Sequence, residues 1–181
     1  MQLIDLKLAG LKLITPRVFE DERGFFFESY RHHDYLLHGM GPFLQDNTSF
    51  SRKGTLRGLH FQSSPGQAKL VSCVQGEIWD VAVDLRAESA TFMHWEGVLL
   101  NDQTHQQIYI PVGFAHGFCV MSPIARVHYK VSAPYDPKTE SSIRWNDPDL
   151  NIDWPVKDPI LSPRDQLSPF FKEVRHVLDN R

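Results

Sequence analysis

Two histidines sit in stretches unlike the rest of this chain: His60 in "TLRGLHFQ" and His116 in "IPVGFAHGF". Histidine is the side chain that changes charge near neutral pH, which suits it to moving protons. Two other ionisable groups point the same way. Tyr129 lies in "RVHYKV", where it shares a strand face with Val127 and Val131 while His128 and Lys130 take the other face, because successive strand residues alternate sides. Lys69 opens "KLVSCV" and shares a face with Val71 and Cys73; an inward lysine needs a partner or a task, since lysine is almost never fully buried unpaired. A histidine, a lysine and a tyrosine around one cavity suit proton abstraction beside a carbonyl. The histidine is the base, the lysine stabilises the enolate oxygen, and the tyrosine returns a proton from the other side. Return on the opposite face inverts a stereocentre. The set reads as an epimerase or isomerase of a keto compound that needs neither metal nor redox cofactor.

Each residue also has a plainer reading. A buried tyrosine most often only hydrogen-bonds its hydroxyl, and a lysine at a frayed strand end snorkels to solvent. Arg23 in "DERGFFFES" and Arg57 in "LRGLHF" are ordinary surface residues taken singly. Together they suit clamps for a diphosphate or carboxylate, and the neighbouring "FFF" offers rings to stack on a base, so the pair hints at a nucleotide-activated substrate. His32, His33 and His38 fall on an early helix and read as a solvated face. His94, His105, His128 and His176 read as structural or exposed. A zinc or iron site takes three or four converging ligands, which His60 and His116 alone do not supply.

Arg57 and His60 stand on opposite parities of one strand, so a regular strand would aim them at opposite faces. Gly58 lies between them, where glycine marks a bulge or a close backbone approach. The sequence predicts an irregularity at Gly58 that turns both side chains inward; a regular strand with Arg57 in solvent would contradict it.

The elements that must hold these residues are strands. "LKLIT", "GFFFES", "PFLQDNTSF", "LRGLHF", "AKLVSCV", "EIWDVAVDL", "TFMHWEGVLL", "QQIYIP", "HGFCVMS" and "ARVHYKVSA" are short runs rich in β-branched and aromatic residues, punctuated by turns such as "SSPGQ", "VQGE" and "LNDQT". Many short strands at this spacing predict a mainly β sandwich or barrel of antiparallel strands. Helical signals are confined to the flanks: "YRHHDYLLHGM" closed by Gly39 or Gly41, and two Ser-Pro starts at Ser162-Pro163 and Ser168-Pro169. The second opens a helix with Phe170, Val174 and Val177 at helical spacing. Ser162-Pro163-Arg164-Asp165 also fits a capping box. At 181 residues, with 41% hydrophobic and 23% charged content, the chain suits one domain over residues 1–181. A net charge of −3 offers no polycation for a nucleic acid backbone, and no apolar run reaches membrane-spanning length. The absence of a signal-like start and the presence of two cysteines in apolar context, Cys73 and Cys119, read as a cytoplasmic protein with buried thiols.

Pro111-x-Gly113-x-x-His116 resembles the second motif of the cupin jelly-roll barrels, whose first motif supplies His-x-His to a metal. Here that stretch reads His60-Phe61-Gln62. The second imidazole is missing, which counts against a metal-dependent cupin. The blocks "VFEDERGFFFESY", "FLQDNTSFSRKGTLRGLHFQ", "KLVSCVQGEIWDVAVDLR", "IPVGFAHGF", "YDPKTESSIRWNDPDLNIDWP" and "LSPRD" follow in order across most of residues 15–165. With them the chain closely resembles the dTDP-4-dehydrorhamnose 3,5-epimerase family. The resemblance implies a metal-free cupin-type jelly roll without cofactor, acting on a dTDP-4-keto-6-deoxy sugar. By position it implies His60 as base, Tyr129 as proton donor, Asp165 as the carboxylate orienting the base, and Lys69 near the sugar 4-oxygen. It also implies Arg23, Glu28, Gln45, Asn47, Arg57, His116, Glu140 and Arg164 as nucleotide-sugar contacts. The family's homodimers share active sites, so Arg23 and Glu28 are expected to serve in trans. A relative that acts at one carbon only shares these residues and stays open as an alternative, and a non-catalytic nucleotide-sugar module is the third reading.

Overall fold

A computed structural model describes residues 1–179, with side chains described through residue 176. Thirteen strands form along it: β1 (Gln2–Asp5), β2 (Lys12–Thr15), β3 (Val18–Asp21), β4 (Gly24–Phe27), β5 (Gln45–Arg52), β6 (Leu56–Gln62), β7 (Lys69–Gln75), β8 (Glu77–Asp84), β9 (Trp95–Asn101), β10 (Gln107–Ile110), β11 (Phe114–Val120), β12 (Ile124–Val131) and β13 (Glu140–Ser142). Three helices, α1 (His32–Leu37), α2 (Pro163–Gln166) and α3 (Phe171–Asp179), lie at the flanks. A six-stranded sheet runs β1-β2-β10-β7-β12-β5, a five-stranded sheet runs β13-β6-β11-β8-β9, and β3 and β4 form a separate hairpin. All the pairings between these strands are antiparallel. This is the expected jelly roll.

The alternation of each strand decides which side chains face which layer. Between the two sheets lies a core that includes Val71, Ile78, Ala82, Ile108, Phe118 and Val127, drawn from both. The other face of the five-stranded sheet is also apolar: Val81, Val83, Ala115 and Cys119 are covered by Ile143, Leu150, Trp154, Phe171 and Val174. That is why β8 is buried on both of its faces. A third cluster seats Tyr35 and Met40, at and after α1, on Ile14, Leu70 and Tyr109. Both cysteines are free and buried.

The inner face of the six-stranded sheet carries rows fixed by register. Gln45, Val131 and Lys69 align across β5, β12 and β7, and so do Asn47, Tyr129 and Val71. On the facing sheet His60 pairs with His116, and Gln62 pairs with Glu140. The two rows bring the chemistry-bearing residues of six strands to one end of the sandwich.

Three expectations need correction. The early helix is shorter than Tyr30–Met40, ending at Leu37 before Gly39, because the chain turns so that the Met40 amide bonds back to the Tyr35 carbonyl and its side chain is fully buried. The last helix starts at Phe171, two residues beyond Pro169. Its amide at Phe171 donates to the buried Asp147 carboxylate at 2.6 Å, so Phe171 and Val174 are the buried pair and Phe170 lies 37% exposed under the Arg144 guanidinium. The side chain of Val177 lies outside the described residues. Strands β1, β3 and β13 were not anticipated at all.

Candidate active site

β6 carries the predicted irregularity. Between the pairs His116·His60 and Phe118·Arg57, β6 spends one residue more than β11, and the register shifts there. Leu56, Leu59 and Phe61 all pack outward into the covered core, while Arg57 and His60 both line the cavity. Gly58 is therefore the residue that adds no step of alternation. Its φ is +122°, and a Cβ at this position would stand 2.6 Å from Gly117 Cα and 2.8 Å from the His116 carbonyl oxygen. Only glycine permits both the conformation and the approach.

The cavity measures about 370 Å³, in the range of small-molecule sites. One wall, from the six-stranded sheet, presents Gln45, Asn47, Lys69 and Tyr129; the opposite wall presents Arg57, His60, His116 and Glu140. Ser49 and Phe118 complete the walls, and Gln67 and Tyr135 enter from connecting segments. These four were not singled out from sequence. Ser49 and Phe118 lie two residues from Asn47 and His116, and Gln67 two from Lys69, so the period of two was the available signal. Tyr135 follows the last residue of β12 in irregular chain, where no such period applies.

His60 Nε2 lies 2.6 Å from Asp165 Oδ1. A carboxylate accepts, so Nε2 carries the hydrogen and Nδ1 is the nitrogen left with a free electron pair. Asp165 sits at the third position of α2, and Ser162 caps that helix by accepting from the Asp165 amide. The capping-box reading and the functional one coexist in this carboxylate. Burial works against its charge, but hydrogen bonds from His60 and Ser162 and the charge of Arg164 outweigh that and hold its pKa below the ordinary value.

Lys69 is 8% exposed, and its Nζ is 3.4 Å from the His60 carbonyl oxygen. Burial pulls its pKa down to about 8, against the opposing pull of Glu140 and Asp80. Burial raises the Tyr129 pKa, Arg57 pulls it back and Glu140 adds to the rise, so the phenol keeps its proton at neutral pH. His116 Nε2 donates to the Asp80 carboxylate on β8 at 2.8 Å. Burial lowers the His116 pKa, with the Asp80 charge opposing it and Lys69 and His60 adding to the fall. Asp80 is fully buried, and among the described residues its second oxygen has no hydrogen-bond partner. It is a charged group beside the site that sequence reasoning passed over. Its inward position was readable, since on β8 it shares a face with Ile78 and Ala82; its partner was not.

Arg164, its side chain half exposed, pairs with Glu140 of that wall at 2.6 Å and does not itself line the cavity. Arg23 and Glu28 are not brought to this cavity within the chain. Arg23 is at the hairpin turn, paired with Asp21 at 2.5 Å and with its side chain 85% exposed, and Glu28 pairs with Arg31. In the same hairpin, Phe27 stacks on the ring of His105 at 4.7 Å between centroids, and Phe25 sits tilted over that ring at 4.4 Å. Phe26 is left in solvent, 66% exposed. Gln62, where a metal-binding cupin has its second imidazole, donates to the Pro134 carbonyl at 3.4 Å. Among the described residues no three His, Cys, Asp or Glu side chains gather as a metal site.

A base held by a carboxylate, a phenol on the facing wall and a buried ammonium between carboxylates are the parts of an enolising site. Comparison with known proteins gives that chemistry a family. The family model described as dTDP-4-dehydrorhamnose 3,5-epimerase matches residues 5–173. The chain belongs to this family. Its enzyme class is accordingly an isomerase. A dTDP-4-dehydrorhamnose 3,5-epimerase of Neisseria gonorrhoeae is 48% identical over 91% of this chain, which spans about half, 51%, of that longer protein. A dTDP-4-dehydrorhamnose 3-epimerase of Streptomyces niveus is 44% identical over 97% of this chain and 86% of its own length. The crystal structure of the Legionella pneumophila dTDP-6-deoxy-D-glucose-3,5-epimerase, in complex with dTDP-4-keto-L-rhamnose, superimposes with a TM-score of 0.93. It is 46% identical, with 98% of this chain and 96% of that one covered.

Proposed function

We propose that the chain epimerises dTDP-4-dehydro-6-deoxy-glucose at C3 and C5, giving dTDP-4-dehydro-rhamnose, through enolates formed beside the 4-keto group. One observation carries the reading: His60 and Tyr129 project from opposite sheets into one cavity, with Lys69 alongside. His60 takes the C–H proton on Nδ1, and Asp165 stabilises the imidazolium that results. The electron pair moves to the 4-oxygen, where the Lys69 ammonium meets the charge. Tyr129 gives its hydroxyl proton to the other face of the carbon, and solvent restores the phenol and the imidazole before the next turn. Since the ketone acidifies both neighbouring carbons, one base and one oxyanion site serve each in turn.

The contacts follow from residue chemistry. Arg57 and Arg164 supply cations for the diphosphate; Gln45, Asn47, His116 and Glu140 offer hydrogen bonds to the sugar. Arg23 and Glu28 act from a second copy, whose hairpin closes this cavity. The exposed rings of Phe19, Phe25 and Phe26 on that hairpin support the pairing. The whole chain acts as one epimerase domain, working in the cytoplasm. In support of that placement, both thiols are buried and free and no helix among the described residues is long and apolar enough to cross a membrane.

A second reading, inversion at one carbon, is favoured by the 3-epimerase relative at 44% identity. Turnover in D2O separates the two. Double epimerisation puts solvent deuterium at both C3 and C5 of the product, read by NMR; deuterium confined to one carbon would establish the single-carbon reading instead.

A further inference from the structure

The Asp165 carboxylate divides its two oxygens. Oδ1 takes the Nε2 hydrogen of His60 at 2.6 Å, and Oδ2 takes the hydroxyl hydrogen of Ser162 at 2.8 Å. Ser162 Oγ in turn accepts from the Asp165 amide at 3.1 Å. A plain capping box would send the carboxylate back to the backbone amide of the cap residue. Here the cap hydroxyl itself donates to the carboxylate, and the carboxylate is buried, 4% exposed at its side chain. From this geometry we infer that Ser162 is a positioning residue: its hydroxyl aims Asp165 at His60 and sets how strongly that carboxylate holds the proton on the base. The inference rests on the reading of His60 as the base.

The direction of the effect follows from charge. A donated hydrogen bond stabilises a carboxylate and lowers its pull on other protons. Without the Ser162 hydroxyl, Asp165 draws harder on the His60 proton, and the base is quenched at a higher pH. The other groups around the base do not change with this substitution. On its own sheet these are Arg57, His116 with Asp80 behind it, and Glu140; from the facing sheet come Lys69 and Tyr129, and Arg164 flanks Asp165 on α2.

Three substitutions separate positioning from capping. Ser162→Ala removes hydroxyl and cap together. Ser162→Gly removes the hydroxyl but costs little as a cap. Ser162→Thr keeps both, and the exposure of Ser162 leaves room for the methyl. The measurement is the pH profile of kcat/KM, with thermal melting alongside. Ala and Gly are both expected to move the acid limb up by about half a pH unit and to lower kcat by about tenfold as the base loses its alignment, and Thr to restore both. If Gly behaves as wild type while Ala only melts earlier, Ser162 is a cap alone and the inference fails. An unmoved acid limb in Ala overturns it as well. His60→Ala, run in parallel, tests the underlying reading: normal turnover there removes His60 as base, whereas loss of turnover there with an unmoved limb in Ser162→Ala refutes the inference alone.

Discussion

Lys69 is buried and, among the described residues, makes one long contact to a carbonyl oxygen, and its folded pKa of about 8 lies below the ordinary lysine value of 10.5. Between those two pH values the unfolded chain binds a proton that the folded chain does not. The cost of burying the ammonium is therefore complete below about pH 8, and stability rises as pH climbs through that window. Lys69→Met is expected to stabilise the protein at pH 7 by about 3–4 kcal/mol, since each tenfold loss of proton affinity on folding is worth about 1.4 kcal/mol and the fall is from 10.5 to about 8. It should also flatten the rise; denaturant unfolding on either side of the window measures both. The same substitution removes the enolate's cation, so turnover falls while stability increases, the exchange expected of a functional site. In the wild type, kcat/KM should decline above about pH 8 as the ammonium loses its proton. The inward aim of Lys69 and Tyr129 was legible because alternation needs only neighbouring residues. Asp80 was not read, because what makes it matter is His116, 36 positions away in sequence and adjacent only once β8 and β11 pair.

At the scale of elements, β6 depends on one glycine. Gly58→Ala would put a methyl within 2.6 Å of backbone on β11 and hold a side chain at φ +122°. Neither backbone can retreat, since β11 is also hydrogen-bonded to β8 along seven residue pairs. The variant is expected to lose at least about 3 kcal/mol or to fail to accumulate as folded protein, seen as a large drop in melting temperature. A melting temperature near wild type would show that the close approach of β6 and β11 is not required. The kink was legible from parity alone, and so were the longer apolar strands. Of the strands missed, β13 reads "ESS" and is held by pairing with β6 and not by a hydrophobic face. The phase of α3 was equally hidden, because it is set by the Asp147 carboxylate 24 residues upstream.

At the scale of the whole molecule, Arg23 and Glu28 lie on and after the β3–β4 hairpin, away from the cavity. Sequence resemblance indicated sharing between subunits, which no local pattern encodes, since the partner's position is outside any single chain's periodicity. Mixing inactive subunits tests it. A pairing of His60→Ala with Arg23→Glu chains contains one site with both lesions and one with neither, if the hairpin serves in trans; about a quarter of wild-type activity should return on equal random mixing. No recovery after verified subunit exchange would place Arg23 in cis or outside the reaction. The central claim, that epimerisation runs through the base built on β6 and anchored by α2, is tested most directly by His60→Ala. Turnover and solvent deuterium uptake into the sugar should both vanish, while dTDP binding measured by calorimetry stays within a few-fold of wild type. Wild-type turnover in that variant would contradict the account.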